Sequence, residues 1–159
     1  FTAGDAASVV SAHALAMYLP SFFTGRLIEK IGEKKVISSG LLFLAISVVI
    51  ALFDNSLSNF YISLIFVGLG WNFGFIGSTS LLTKNHSFLE RGKIQGLNDF
   101  CIFGFVALAS LTSGFLMNCG SSSTELGWKM INLTATPFIA FAVFAVFFLY
   151  IFDRQAKPK

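Results

Sequence analysis

Charge is scarce in this chain of 159 residues. Asp, Glu, Lys and Arg together make up 12%, where about 25% is usual in a soluble domain. Hydrophobic residues fill 55%, and Phe alone occurs 20 times. That is more than a soluble core of this size needs, so the composition argues against a soluble fold. The net charge is only +3. The bases fall in short segments between apolar runs and not along one helix face, so no nucleic-acid partner is expected. Cysteine is nearly absent. Cys101 and Cys119 would lie about 27 Å apart along one helix, whereas a disulfide needs Cα atoms within about 7 Å. They cannot pair within that helix, and their number and spacing suggest no metal site. No cofactor is expected. No basic n-region or cleavage site follows Phe1, so no signal peptide is expected, and the chain reads as a piece of a longer one.

Long apolar runs are what remains. A bilayer core of about 30 Å takes roughly 20 apolar residues as helix, and the stretches 6–23, 36–53, 60–82, 94–117 and 130–152 qualify. The fold class expected is therefore an all-α membrane protein with five transmembrane helices and a tail at 153–159. The first stretch is the weakest, being rich in Ala and Ser and carrying His13. Pro20 and Pro137 each remove a backbone donor inside a span and are expected to bend it. Gly70 and Gly74, continued by Gly77 and Ser78, give the third span a small face suited to close helix contact. The polar segment 118–127 reads as a short external loop.

Basic residues concentrate in cytoplasmic loops. Arg26, Lys30, Lys34 and Lys35 fill the first connection, Lys84, Arg91 and Lys93 the third, and Arg154, Lys157 and Lys159 the tail. These three segments alternate onto one side, with ten of the eleven bases. The tail is expected to be cytoplasmic and the start of the chain external. Ser87-Phe88-Leu89-Glu90 fits a capping box and predicts a helix start near Phe88.

Polar side chains are shared unevenly among the spans. The second and fifth are apolar nearly all round, as lipid-facing helices are. The others carry His13, Asn72, Gln95, Asn98 and Asp99. Arg91, Gln95, Asn98 and Asp99 follow i, i+4, i+7, i+8 and share one helical face. A polar stripe faces protein or a water-filled cavity. His13, Asn72 and Asp99 fall near mid-span, where secondary transporters bind substrate. Asn72 also suits a plain interhelical hydrogen bond, His13 either role, and Asp99 a proton or a cationic group of a substrate.

The densest charge cluster is Gly25-Arg26-Leu27-Ile28-Glu29-Lys30-Ile31-Gly32-Glu33-Lys34-Lys35, which reads as a short loop between two spans. It resembles the G-x-L-x-D-R-x-G-R-K loop of the major facilitator superfamily. Gly25, Leu27, Glu29, Lys30, Gly32, Lys34 and Lys35 carry the match. Glu29 replaces the commoner Asp, and Glu33 stands where a base is often found. Glu90, Arg91 and Gly92, with Gly96, resemble a second cytoplasmic motif of that family. The resemblance implies part of a six-helix bundle, in the C-terminal half and lacking its first helix. It implies secondary active transport of a small solute by alternating access, as a permease working by uniport, symport or antiport and often driven by protons. The missing half of its own chain and the lipid bilayer are then its partners, and the plasma (cell inner) membrane its place. The first loop is expected to act as a conformational latch, with Glu29 meeting a helix N-terminus or a base of the neighbouring loop. Two other classes remain open. A non-transporting scaffold or assembly subunit would share these features. A membrane-embedded enzyme needs a cluster of reactive side chains, whereas the spans offer one Asp and one His, so no enzyme is expected.

Overall fold

The computed structural model describes residues 1–118 and 123–155; Cys119 and Ser122 lie outside the described residues, as do residues 156–159. Six helices follow one another: α1 Ala3–Tyr18, α2 Ser21–Ile31, α3 Glu33–Phe53, α4 Leu57–Lys84, α5 Phe88–Asn118 and α6 Thr124–Gln155. Taken together, α1 and α2 make one membrane-length segment, so five segments are long and apolar enough to cross a bilayer. The fold is all-α, with no strand among the described residues.

Local chemistry explains the helix ends. Thr2 caps α1 in a reciprocal box: its hydroxyl accepts from Asp5 N at 3.1 Å, and the Asp5 carboxylate accepts from Thr2 N at 2.8 Å. Pro20 stops α1, because it has no N–H to continue the ladder, and itself occupies the N-cap of α2. The proline therefore divides the first span into two helices, where the sequence predicted a bend. Gly32 closes α2 with φ 86°, and α3 begins at the next residue. A residue with a side chain is strained at that φ. The stretch from Gly25 is thus not a loop. It is helical up to Ile31 and turns only at Gly32. Arg, Leu, Ile, Glu and Lys are all adequate helix formers, and their charge had suggested a loop only because charge is rare elsewhere.

The α3–α4 connection is short and well tied. Ser56 caps α4 by accepting from Asn59 N, and the Asn59 amide donates to Ile50 O at 2.7 Å, near the end of α3. In this connection the Ser56 hydroxyl and then the Asn55 N–H donate to the Asp54 carboxyl and hold it below the usual carboxylate range. At the α5 start, Glu90 receives the Ser87 hydroxyl, and the helix begins at Phe88 as the capping pattern predicts.

Helix α4 is the spine. It packs against α1, α2, α3 and α5, while α6 packs on α3 and α5. Glycine lets α3 approach closely. A Cβ on Gly40 would come within 2.7 Å of Gly74 N, and one on Gly70 within 2.7 Å of Leu44 Cγ. A Cβ on Gly77 would meet Ile37 at 2.8 Å, and one on Gly68 would meet His13 O at 2.7 Å, on the α1 side. In lipid, such packing replaces the hydrophobic effect as the force between helices. At the far end of the α3–α6 contact, Trp128 Nε1 donates to Ala51 O at 3.0 Å, and its ring lies edge-on to Phe60. The apolar windows of α5 and α6 hold no buried residue among those described.

Candidate functional site

The polar residues singled out in the spans fall into two groups. The first surrounds the break between α1 and α2. Asn72, on α4, is buried. Its Nδ2 donates to Met17 O at 2.6 Å and to Ser21 Oγ at 2.7 Å. Its Oδ1 lies 2.7 Å from Thr24 Oγ1, which donates to it or to Pro20 O at 2.9 Å. Pro20 interrupts the backbone ladder, and Asn72 supplies a donor to a carbonyl left beside that gap. Both amide hydrogens and the amide oxygen are engaged, so one side chain holds the end of α1 and the start of α2 to α4. A broken helix in lipid needs such replacement partners.

His13 stands about two helical turns before Pro20. Its Nδ1 lies 2.8 Å from Leu64 O. A carbonyl only accepts, so the proton is on Nδ1, and Nε2 is left for another partner. A further bond from α4 to α1 joins Tyr61 to Ser8. Sequence reasoning assigns no partners to Asn72. A lone Asn in an apolar span, facing a proline flanked by Ser21 and Thr24, is the signal that points there.

The second group lies on α5. Gln95 Nε2 donates to Asp99 Oδ1 at 2.8 Å, and Asn98 Nδ2 donates to the same oxygen at 3.2 Å. All three side chains are half-buried. The i, i+4 spacing brings Gln95 over Asp99, as the shared helical face predicts. Arg91 belongs to that face but turns away, its Nε donating to His86 O at 3.2 Å. Gln95 Oε1 is buried and has no hydrogen-bond partner among the described residues, and the same holds for Thr79 Oγ1 on α4. Hydrogen bonds tie His13 to α4 and Asp99 to its own helix, so the two groups are separate.

The charged residues at the ends of the helices form a third cluster. Glu29 and Lys30 are exposed on α2, Leu27 is half-buried and Lys35 is exposed at the start of α3. A Cβ on Gly25, Gly92 or Gly96 would meet nothing within 4 Å. The acid that meets a base of the neighbouring connection is Glu33: Lys84 Nζ lies 3.1 Å from its Oε1. Glu33 was visible in the sequence only as a departure from the family pattern. Its position in the first turn of α3 suits an acid, because the helix N-terminus carries partial positive charge. The pair joins the start of α3 to the end of α4. Lys34 reaches the other way, with Nζ 3.4 Å from Leu149 O and 5.8 Å from the centre of the Tyr150 ring.

Comparison with known proteins agrees with this architecture. The family model described as Major Facilitator Superfamily matches residues 1–159. Riboflavin transporter RfnT of Brucella anthropi is 47% identical over 128 residues, covering 80% of this chain and 31% of that protein. Two Bacillus subtilis proteins described as uncharacterized MFS-type transporters also match. YdeG is 37% identical over 125 residues, covering 77% of this chain and 29% of its own length. YddS is 36% identical over 134 residues, covering 82% and 31%. No solved structure matches significantly. The chain spans about three tenths of the length of these curated relatives. Five membrane-length helical segments and a family match along the whole chain lead to one conclusion: this multi-pass membrane protein belongs to the Major Facilitator Superfamily.

Proposed function

We propose that the full-length protein is a secondary active transporter of a small solute, working by alternating access and coupled to protons through Asp99. The observation that carries this reading is the Asp99 carboxylate, held by the amides of Gln95 and Asn98 within a membrane-length helix. A carboxylate at mid-span costs about 2.5–3.5 kcal/mol on insertion scales. Two amides on one oxygen offset part of that cost and leave the other oxygen for a proton or a cationic group. His13 Nε2 and Asn72 line the same reading as polar groups of the pathway, with Asn72 acting mainly to hold the helix break. Glu29, Glu33 and the surrounding bases work at the cytoplasmic end, where contacts made in only one access state bias the equilibrium between states.

Riboflavin is the first solute to test, because the relative at 47% identity is described as a riboflavin transporter. The residues described here form part of one half of the transporter; the other half supplies the rest of the cavity. The plasma membrane is its location, with the C-terminus in the cytoplasm. Full-length protein in proteoliposomes, given labelled riboflavin and an inward proton gradient, is expected to accumulate the label and to lose accumulation when the gradient is collapsed. Residues 1–159 alone are expected to give no flux. Flux from the fragment equal to that of the full-length protein would contradict the half-transporter reading. No flux of riboflavin or any competing small solute from the full-length protein would favour a scaffold.

A further inference from the structure

A groove of about 350 Å³ runs between α3 and α6. Ser38, Leu42 and Ala45 of α3 and Val143, Phe147 and Tyr150 of α6 line it. Its walls are apolar, and the Ser38 hydroxyl is already committed to Lys34 O at 2.8 Å. Beyond Ser38, only Tyr150 among the described lining residues carries a polar side-chain group. The flanking faces are also apolar and exposed, with Leu42, Val49, Phe141, Phe144 and Phe148 all outward. Helix faces of that kind meet hydrocarbon.

One end of the groove differs from the rest. Spacings of four and seven residues place Lys34 above Ser38 and Leu41, and Lys35 lies seven residues before Leu42. Lys34 is held there by Leu149 O and the Tyr150 ring, and Lys35 is exposed. From Ser38 to Ala45 the groove covers about 10 Å of helix, roughly two thirds of one leaflet of a bilayer core of about 30 Å. An apolar slot in one leaflet with cationic groups at its headgroup end matches one kind of molecule in shape and charge.

We propose that this groove binds an anionic phospholipid, with an acyl chain between α3 and α6 and the phosphate beside Lys34 and Lys35. The lysine stems lie along the apolar surface while their ammonium groups stay at headgroup level. Basic sites between membrane helices take anionic headgroups in this way. The site is lateral to the Gln95–Asn98–Asp99 cluster, because α3 and α6 carry none of those residues.

Native mass spectrometry of the purified full-length protein, incubated with equal amounts of phosphatidylglycerol and phosphatidylcholine, tests the proposal. Phosphatidylglycerol is expected to be retained preferentially. Lys34→Gln with Lys35→Gln should keep phosphatidylcholine binding and lower the preference by about fivefold for each lysine removed. Ala45→Trp fills the slot and should lower retention of both lipids, and the surface lysine variant covers the case in which Ala45→Trp does not fold. Equal retention of the two lipids by the unaltered protein would overturn the proposal. So would an unchanged preference in the lysine variant, or a lipid-free dimer, which would assign the groove to a second copy.

Discussion

The side-chain amide of Asn72 stands 2.6 Å from the carbonyl oxygen of Met17, three residues before Pro20. This contact binds the spine helix α4 to the one place where the first membrane segment is broken. The same amide holds Ser21 and Thr24 on the far side of the break, so one side chain ties both sides of the break to α4.

Asn72→Ala should therefore weaken the fold. It leaves three polar groups beside an apolar void, and such losses cost about 1–3 kcal/mol each way in soluble proteins but average about 0.6 kcal/mol in membranes. A net loss of about 1–2 kcal/mol is expected, read as a lower Tm of the full-length protein in detergent. Asn72→Asp should be worse, because it sets a carboxylate oxygen against Met17 O. Unchanged melting in both variants would remove Asn72 from this role.

The α3–α4 contact gives a contrast between two glycines. Gly40→Ala places a methyl 2.7 Å from the backbone nitrogen of Gly74, whereas a Cβ on Gly74 itself meets nothing within 4 Å. Gly40→Ala should destabilise by about 1–3 kcal/mol, as overpacking does, and Gly74→Ala should not destabilise, because a mid-helix Gly costs about 0.5–1 kcal/mol relative to Ala. Thermal melting of the two variants in one detergent checks the difference, and equal effects would contradict the packing described.

The Glu33–Lys84 pair is open to a charge-reversal test. The Lys84 side chain is 66% exposed and that of Glu33 15%, so the pair is worth about 0.2–1 kcal/mol at most. Glu33→Lys should lower the transport rate of the full-length protein with little change in equilibrium substrate affinity. Adding Lys84→Glu should restore part of the rate. Recovery stays incomplete because a base at the α3 N-terminus opposes the helix dipole. The double variant performing no better than Glu33→Lys would deny the pairing any role in the cycle.

Orientation can be read directly. Cysteines introduced at Lys30 and at Ser58 in a Cys-free background should differ in intact cells. Ser58, in the first turn of α4 next to the α3–α4 connection, is exposed and should react with an impermeant thiol reagent, while position 30 should not. The reverse pattern would invert the topology inferred from the bases.

Much of the architecture was legible in the sequence, because the requirement for about 20 apolar residues per crossing leaves few alternatives. The stripe of Gln95, Asn98 and Asp99 was legible too, since helical periodicity alone puts them on one face. Three features were not. The helix over Ser21–Ile31 was hidden by its charges, which in this apolar chain looked like a loop. The Thr2–Asp5 cap precedes an Ala- and Ser-rich run whose weak apolar pattern does not mark a helix start. The partners of Asn72 and Glu33 depend on helix register in three dimensions, and no spacing within one segment encodes contacts about 50 residues apart.

The most direct test of the account is proton-driven accumulation by the full-length protein carrying Asp99→Asn. This change keeps the shape and one oxygen to accept from Gln95 and Asn98 but removes the ionisable carboxyl. In proteoliposomes with an imposed proton gradient, the account predicts that Asp99→Asn folds, inserts and still exchanges solute across the membrane, yet no longer accumulates it against a gradient. Full accumulation by Asp99→Asn, with the pH profile of the unaltered protein, would contradict it.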